Sequence, residues 1–136
     1  MPSIFTRILA GQVSGQFVFR DDLWAALLDI RPVSPGHALL IPLYETQYLS
    51  DLPAPTLAAL GDRLARLVRA VKTASNADAV NVVINDGPAA GQEVPHAHLH
   101  AFARFPEDGK RMAWPATPYA GGDLNIWADR LRAAWR

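Results

Sequence analysis

Residues 96–105 read His-Ala-His-Leu-His-Ala-Phe-Ala-Arg-Phe. Histidine stands at 96, 98 and 100, with Ala97, Leu99 and Ala101 between or beside them. A period of two belongs to a β-strand, whose successive side chains point to opposite faces. The run therefore predicts a strand with one small, apolar face packed on a core. Its other face carries three imidazoles and looks into a cleft or into water. The chain has four histidines, so this row holds all but His37.

The rest of the chain supplies partners for such a strand. Ser3 can cap a short helix over "SIFTRILAG", in which Ile4, Ile8 and Leu9 share a side and Gly11 stops the turn. "GQFVFR" and "LWAALLDI" flank Asp21-Asp22, a turn-forming pair, and read as a β-hairpin. After the proline-containing loop "RPVSPG", "HALLIP" reads as an apolar strand ended by Pro42. Residues 54–74 carry Leu57, Leu60, Leu64, Leu67, Val68 and Val71 at helical spacing. Pro53 and Pro55 restrict themselves to that helix's first turn. "AVNVVIN", residues 79–85, is a β-branched strand. "DGPAAGQEV" is a glycine-containing loop, the tail over 106–122 is irregular, and "DLNIWADRLRAAW" is an amphipathic helix with Leu124, Trp127, Leu131 and Trp135 on one side. Strands and helices do not alternate regularly. The expected class is α+β: a five-stranded, mainly antiparallel sheet with a long central helix and short terminal helices, in a single domain over 1–136.

Composition narrows the chemistry. Thirteen Lys plus Arg balance thirteen Asp plus Glu, so no basic surplus argues for a nucleic-acid polymer or an anionic membrane. Arg63, Arg66, Arg69 and Lys72 read as the solvated face of the long helix. There is no cysteine, which removes disulfides, thiolate nucleophiles and thiolate metal ligands. No signal peptide and no apolar run of membrane-spanning length is evident. A cytoplasmic protein is expected.

Three chemistries compete for the histidine row. It can be a solvated face. It can bind metal, but a flat strand separates the Cα atoms of His96 and His100 by roughly 13 Å, too far for both rings to reach one zinc at ~2.0–2.1 Å. Two of the row with His37 remain a possible zinc set, with Asp29, Asp86 and Glu93 as nearby carboxylates. The third is nucleophilic attack on phosphorus, with the central imidazole attacking and its neighbours donating hydrogen bonds to phosphate oxygens. Gly87 and Gly91, just upstream, permit close backbone approach to an anion.

"HAHLHAF" matches the His-φ-His-φ-His-φ-φ signature of the histidine triad superfamily. "SIFTRILAGQV", "DDLWAALLDIRPVSPGHALLIP" and "NDGPAAGQEVPHAHLH" resemble successive blocks of that family, in order. The core of the match is residues 1–104, and 105–136 is a variable tail with a terminal helix. The resemblance implies a homodimer of antiparallel α+β domains that binds purine nucleotides or nucleotidyl conjugates. It implies a hydrolase or transferase acting on nucleoside 5′-phosphoramidates or dinucleoside polyphosphates, without a required cofactor.

Carried over residue by residue, the resemblance makes His98 the nucleophile that forms a nucleotidyl-histidine. His96 and His100 orient the ring and contact the phosphoryl group, and His37 completes the cluster. Asp29 is the ribose acid. Phe5, Ile8, Val13 and Ile30 form the apolar base pocket. Asn85, Gly91, Gln92 and Glu93 lie near the phosphate and leaving group, and periodicity adds Asn81 as a support. Glu93 stands where many relatives have a hydroxyl, which suits an amine-bearing leaving group. Trp114 and Tyr119 are candidates for the leaving-group side. The alternatives are a nucleotide-binding regulator with little turnover and a zinc-dependent hydrolase.

Overall fold

The computed structural model covers residues 1–136. In chain order it contains α1 (Ile4–Leu9), β1 (Phe17–Arg20), β2 (Trp24–Leu28), β3 (Ala38–Pro42), α2 (Ala54–Ser75), β4 (Ala79–Ile84), β5 (Leu99–Arg104) and α3 (Asp123–Ala134), with 3₁₀ turns at Leu49–Asp51 and Pro88–Ala90. The five strands form one sheet in the order β1-β2-β3-β5-β4, and every neighbouring pair is antiparallel. The expected class and strand count are observed.

Local chemistry explains the elements. Ser3 caps α1 by accepting the Thr6 N–H, and Gly11 leaves the helix at φ 75°. The Asp21 carboxylate accepts the N–H groups of Leu23 and Trp24 and so closes the β1–β2 turn. Pro53 caps α2 and Pro55 sits in its first turn, while Asn76 ends it in the left-handed region at φ 52°.

The sheet has two apolar faces. Trp24, Ala26, Leu40, Leu99, Ala101 and Ala103 pack with Leu67 and Val71 of α2 in the main core. Alternation along the strands then turns Leu27, Leu39 and Ile41 to the opposite face, where they pack with Phe5 of α1. Leu57 differs from expectation. It is exposed, while Thr56 is buried and its carbonyl accepts the Trp24 indole N–H at 2.9 Å. No helix is long and apolar enough to cross a membrane.

The histidine run also differs. Regular β5 begins at Leu99, so His96 and His98 precede the ladder rather than belonging to it. Pro95 lacks an N–H and biases its predecessor, and the Ala97 N–H is donated instead to the Thr46 carbonyl at 2.7 Å. The three imidazoles therefore do not form a flat row.

Candidate functional site

The second face of the sheet opens into a cleft of about 780 Å³, within the range of small-molecule sites. His37, His98 and His100 line it, together with Asp29, Ile30, Phe5, Ile8, Val13, Asn85, Gly91 and Glu93. His100 reaches the cleft from β5, opposite Leu39 of β3 and Val83 of β4. His37 and Asp29 are brought together because the β2–β3 ladder continues past its regular end, with the Asp29 N–H donated to the His37 carbonyl at 2.9 Å.

His96 is the exception among the histidines. Its ring is 0% exposed and does not line the cleft. Nε2 lies 2.8 Å from the Pro42 carbonyl and Nδ1 lies 2.7 Å from the Ser3 hydroxyl. The expected contact of this imidazole with a phosphoryl group is thus corrected: leaving the ladder turns the ring under the sheet's end. Its backbone matters instead. The His96 carbonyl lies 2.7 Å from His98 Nδ1. A carbonyl only accepts, so Nδ1 carries the proton and the Nε2 lone pair of the neutral His98 ring is free. No protein group pairs with Nε2, and because no fully enclosed side-chain polar atom is left unpaired, Nε2 is accessible from the cleft that His98 lines.

A second chain of bonds fixes the other rings. The Val33 N–H is donated to His37 Nδ1 at 3.0 Å, so neutral His37 carries its proton on Nε2. That proton points to His100 Nδ1, 3.0 Å away, which leaves His100 with an N–H at Nε2. Burial holds both residues below the ordinary histidine range. Asp29 opposes the effect at His37, and His100 is lowered to about 4 by burial and by His98 and His37 beside it.

Asp29 Oδ1 accepts the Arg31 N–H at 2.8 Å. Its Oδ2 lies 3.6 Å from His37 Nε2 and 3.9 Å from His100 Nδ1. Asp29, His37 and His100 are the one group of potential metal ligands converging in this way. Asp86 is elsewhere, capping the Leu49 N–H.

The apolar wall is Phe5, Ile8, Val13 and Ile30. Phe5 meets the His98 ring edge-on at 5.0 Å. Ile30 is 93% exposed at the cleft mouth. Gly91 ends the 3₁₀ turn Pro88–Ala90 at φ 95°, a conformation that a side chain would strain, and it stands beside Asn85. Gln92 is corrected. It is buried outside the cleft, with Oε1 accepting the Gly87 N–H and Nε2 donating to the Gln47 carbonyl. Glu93 is exposed and pairs with Arg31 at 3.5 Å.

Arg31, Arg104, Lys110, Arg111 and Met112 also line the cleft and were not foreseen. Arg104 follows His98, His100 and Phe102 in parity, a signal that was available. Its guanidinium holds Asp108 in two bonds, at 2.8 and 3.1 Å, and donates to Asn81 Oδ1 at 2.7 Å. Asn81 is thus a hydrogen-bonding support, and the start of the tail is anchored. Trp114 and Tyr119 are exposed and line no part of the cleft.

An antiparallel α+β sheet with an imidazole cluster tied to its backbone, facing a small-molecule cleft, defines the class. The chain belongs to the HIT domain family, whose model matches residues 10–107. It is 41% identical over 116 residues to a HIT-like protein of Mycobacterium tuberculosis, covering 83% of this chain and 77% of that one. It is 38% identical over 105 residues to bis(5′-adenosyl)-triphosphatase of Saccharomyces cerevisiae. That match covers 76% of this chain, which spans about half the length of the yeast protein. The crystal structure of a HIT family member from Bacillus subtilis superposes with a TM-score of 0.92 at 26% identity, covering 100% of this chain and 99% of that one.

Proposed function

We propose that this chain is a nucleotide hydrolase that cleaves nucleoside 5′-phosphoramidates or dinucleoside polyphosphates at the α-phosphorus. The observation that carries the reading is the bond from His98 Nδ1–H to the His96 carbonyl, which leaves Nε2 free beside the cleft. Nε2 attacks phosphorus, the bond to the leaving group breaks, and a nucleotidyl-His98 forms. The positive charge gained by the ring is met by the His96 carbonyl at Nδ1. Water then attacks phosphorus, the P–N bond to His98 breaks, and a nucleoside monophosphate leaves. The His100 N–H, fixed through His37, donates to a phosphoryl oxygen and stabilises the charge developing there. Asn85 and Gly91 bound the phosphate side.

Asp29 accepts from ribose hydroxyls, and Phe5, Ile8, Val13 and Ile30 hold a purine base. The name of the yeast relative supports the polyphosphate branch. No cofactor enters these steps.

The same reading includes a homodimer. Strand β4 is an open sheet edge with Val82 exposed, and α3 leaves Leu124, Trp127, Leu131 and Trp135 uncovered. Sedimentation of the full chain is expected to give twice the monomer mass.

The decisive assay offers adenosine 5′-phosphoramidate and diadenosine triphosphate to wild type and His98→Ala after metal chelation. Turnover by wild type alone supports nucleophilic catalysis, and the better substrate names the branch. AMP binding without turnover supports a regulator. A second reading, zinc-dependent hydrolysis, is favoured by the convergence of Asp29, His37 and His100. It requires activity that is removed by chelation and restored by zinc.

A further inference from the structure

We propose that Ser3 and Glu45 are positioning residues for His98, acting through His96. The inference rests on His98 as nucleophile. It starts from the fact that residues 96–98 lie outside the β5 ladder. Sheet pairing therefore does not fix their position, and a small set of other bonds does.

The set closes around Ser3. The Pro42 carbonyl can only accept, so His96 carries a proton on Nε2. Burial holds the ring below its ordinary value, against the pull of Glu45, so Nδ1 is bare and accepts from the Ser3 hydroxyl. The single Ser3 proton is thereby committed to His96. The Thr6 hydroxyl is committed to Glu45. Glu45 also accepts the Ser3 N–H, with its two oxygens at 3.1 and 3.2 Å. The next residue, Thr46, accepts the Ala97 N–H. Glu45-Thr46 thus ties the cap of α1 and the histidine segment to the same point beyond β3.

Two consequences reach His98. The His96 carbonyl that holds its Nδ1 moves with the His96 ring. Phe5, two residues after Ser3, meets the rings of both His96 and His98 edge-on, at 5.7 and 5.0 Å. A shift of α1 displaces both supports together. Ser3 touches neither the cleft nor any reacting atom, so its effect is on orientation rather than on binding.

The test uses the full chain as Ser3→Ala and Ser3→Thr. Steady-state kinetics are measured with adenosine 5′-phosphoramidate and diadenosine triphosphate, and nitrogen NMR of ¹⁵N-histidine protein is recorded without substrate. For Ser3→Ala, kcat is expected to fall roughly tenfold to hundredfold, with KM changed less than about threefold. The His98 nitrogens should move from one tautomer to a mixture, and Ser3→Thr should restore both readouts. An unchanged His98 tautomer, or an unchanged kcat per folded molecule, overturns the proposal. If Ser3→Ala does not fold, Glu45→Gln carries the same expectations and the same refutation. If wild type turns over neither substrate, the proposed function fails, and the tautomer alone decides whether Ser3 orients His98.

Discussion

His37 Nε2 lies 3.0 Å from His100 Nδ1, at the inner end of a chain that begins with the Val33 N–H. The backbone amide sets the tautomer of the first ring, and the first ring sets that of the second. His37 thereby determines that His100 offers a donor, not a lone pair, at Nε2. Removing it in His37→Ala leaves His100 free to take either tautomer. We expect kcat to fall on the order of a hundredfold, as for loss of one preorganised donor, with a smaller change in KM. Steady-state kinetics check this; an unchanged kcat for His37→Ala, or no loss of kcat for His100→Ala, would contradict the chain.

The buried imidazoles make stability dependent on pH. His100 titrates at about 4 when folded and near 6.5 when unfolded, chiefly because burial disfavours its charged form. Between these values the unfolded chain binds more protons, so stability rises with pH across the window. The contribution is complete above the unfolded value and is lost as pH falls toward 4. From pH 7 to pH 5 this one group removes about 2 kcal/mol, and His37 and His96, lowered in the same direction by burial, add to it. Urea unfolding at the two pH values measures the slope, and His100→Asn should flatten it.

Gln92 closes the loop before the histidines. Its side chain satisfies the Gly87 N–H at 2.8 Å and the Gln47 carbonyl at 3.0 Å, both beneath the 3₁₀ turn that presents Gly91. Gln92→Ala leaves these groups without their partner and is expected to cost about 1–3 kcal/mol. A urea midpoint equal to wild type would contradict this. Gln92→Glu is expected to lose the bond to the Gln47 carbonyl while keeping the one to Gly87.

Much of the fold was legible because it follows local rules. The α2 stripe, the Asp21 turn, the Ser3 cap and the five strands each carry their signal within a few residues. His37 and Asp29 were legible from the sequence as possible metal ligands, and only the resemblance gave them roles in a nucleotide site, since nothing local says that β2 and β3 bring them together. His96 was misread because period two assumes an unbroken strand, and Pro95 with the Thr46 carbonyl moves the ladder's start to Leu99. Gln92 was misread because a buried amide and a ligand-binding amide look alike in a polar loop. The partnership of Ser3 and Glu45 with His96 spans 93 and 51 residues and has no periodic signature. Lys110 and Arg111 reach the cleft because Arg104 and Asp108 fold the tail back, a long-range contact that sequence spacing does not encode.

Glu93 and Arg31 set the charge at the mouth of the cleft. Their side chains are more than 80% exposed and 3.5 Å apart, so the pair adds little to stability. Its effect is expected in substrate choice. On the proposed function, Glu93 is expected to repel a polyphosphate leaving group and attract an amine, and Arg31, with Lys110 and Arg111 farther along the cleft, to do the reverse. Glu93→Ser removes the one acidic group of the pair and frees Arg31. We expect kcat/KM for diadenosine triphosphate to rise several-fold relative to that for a lysine-linked adenosine phosphoramidate, the change expected from one exposed charge worth ~1 kcal/mol. The gain should shrink as salt is raised, because exposed charges are screened within about 8–10 Å at 0.1–0.15 M ionic strength. Competition between the two substrates in one reaction reads the ratio directly, and a ratio equal to wild type at low salt would remove Glu93 from the specificity of this site.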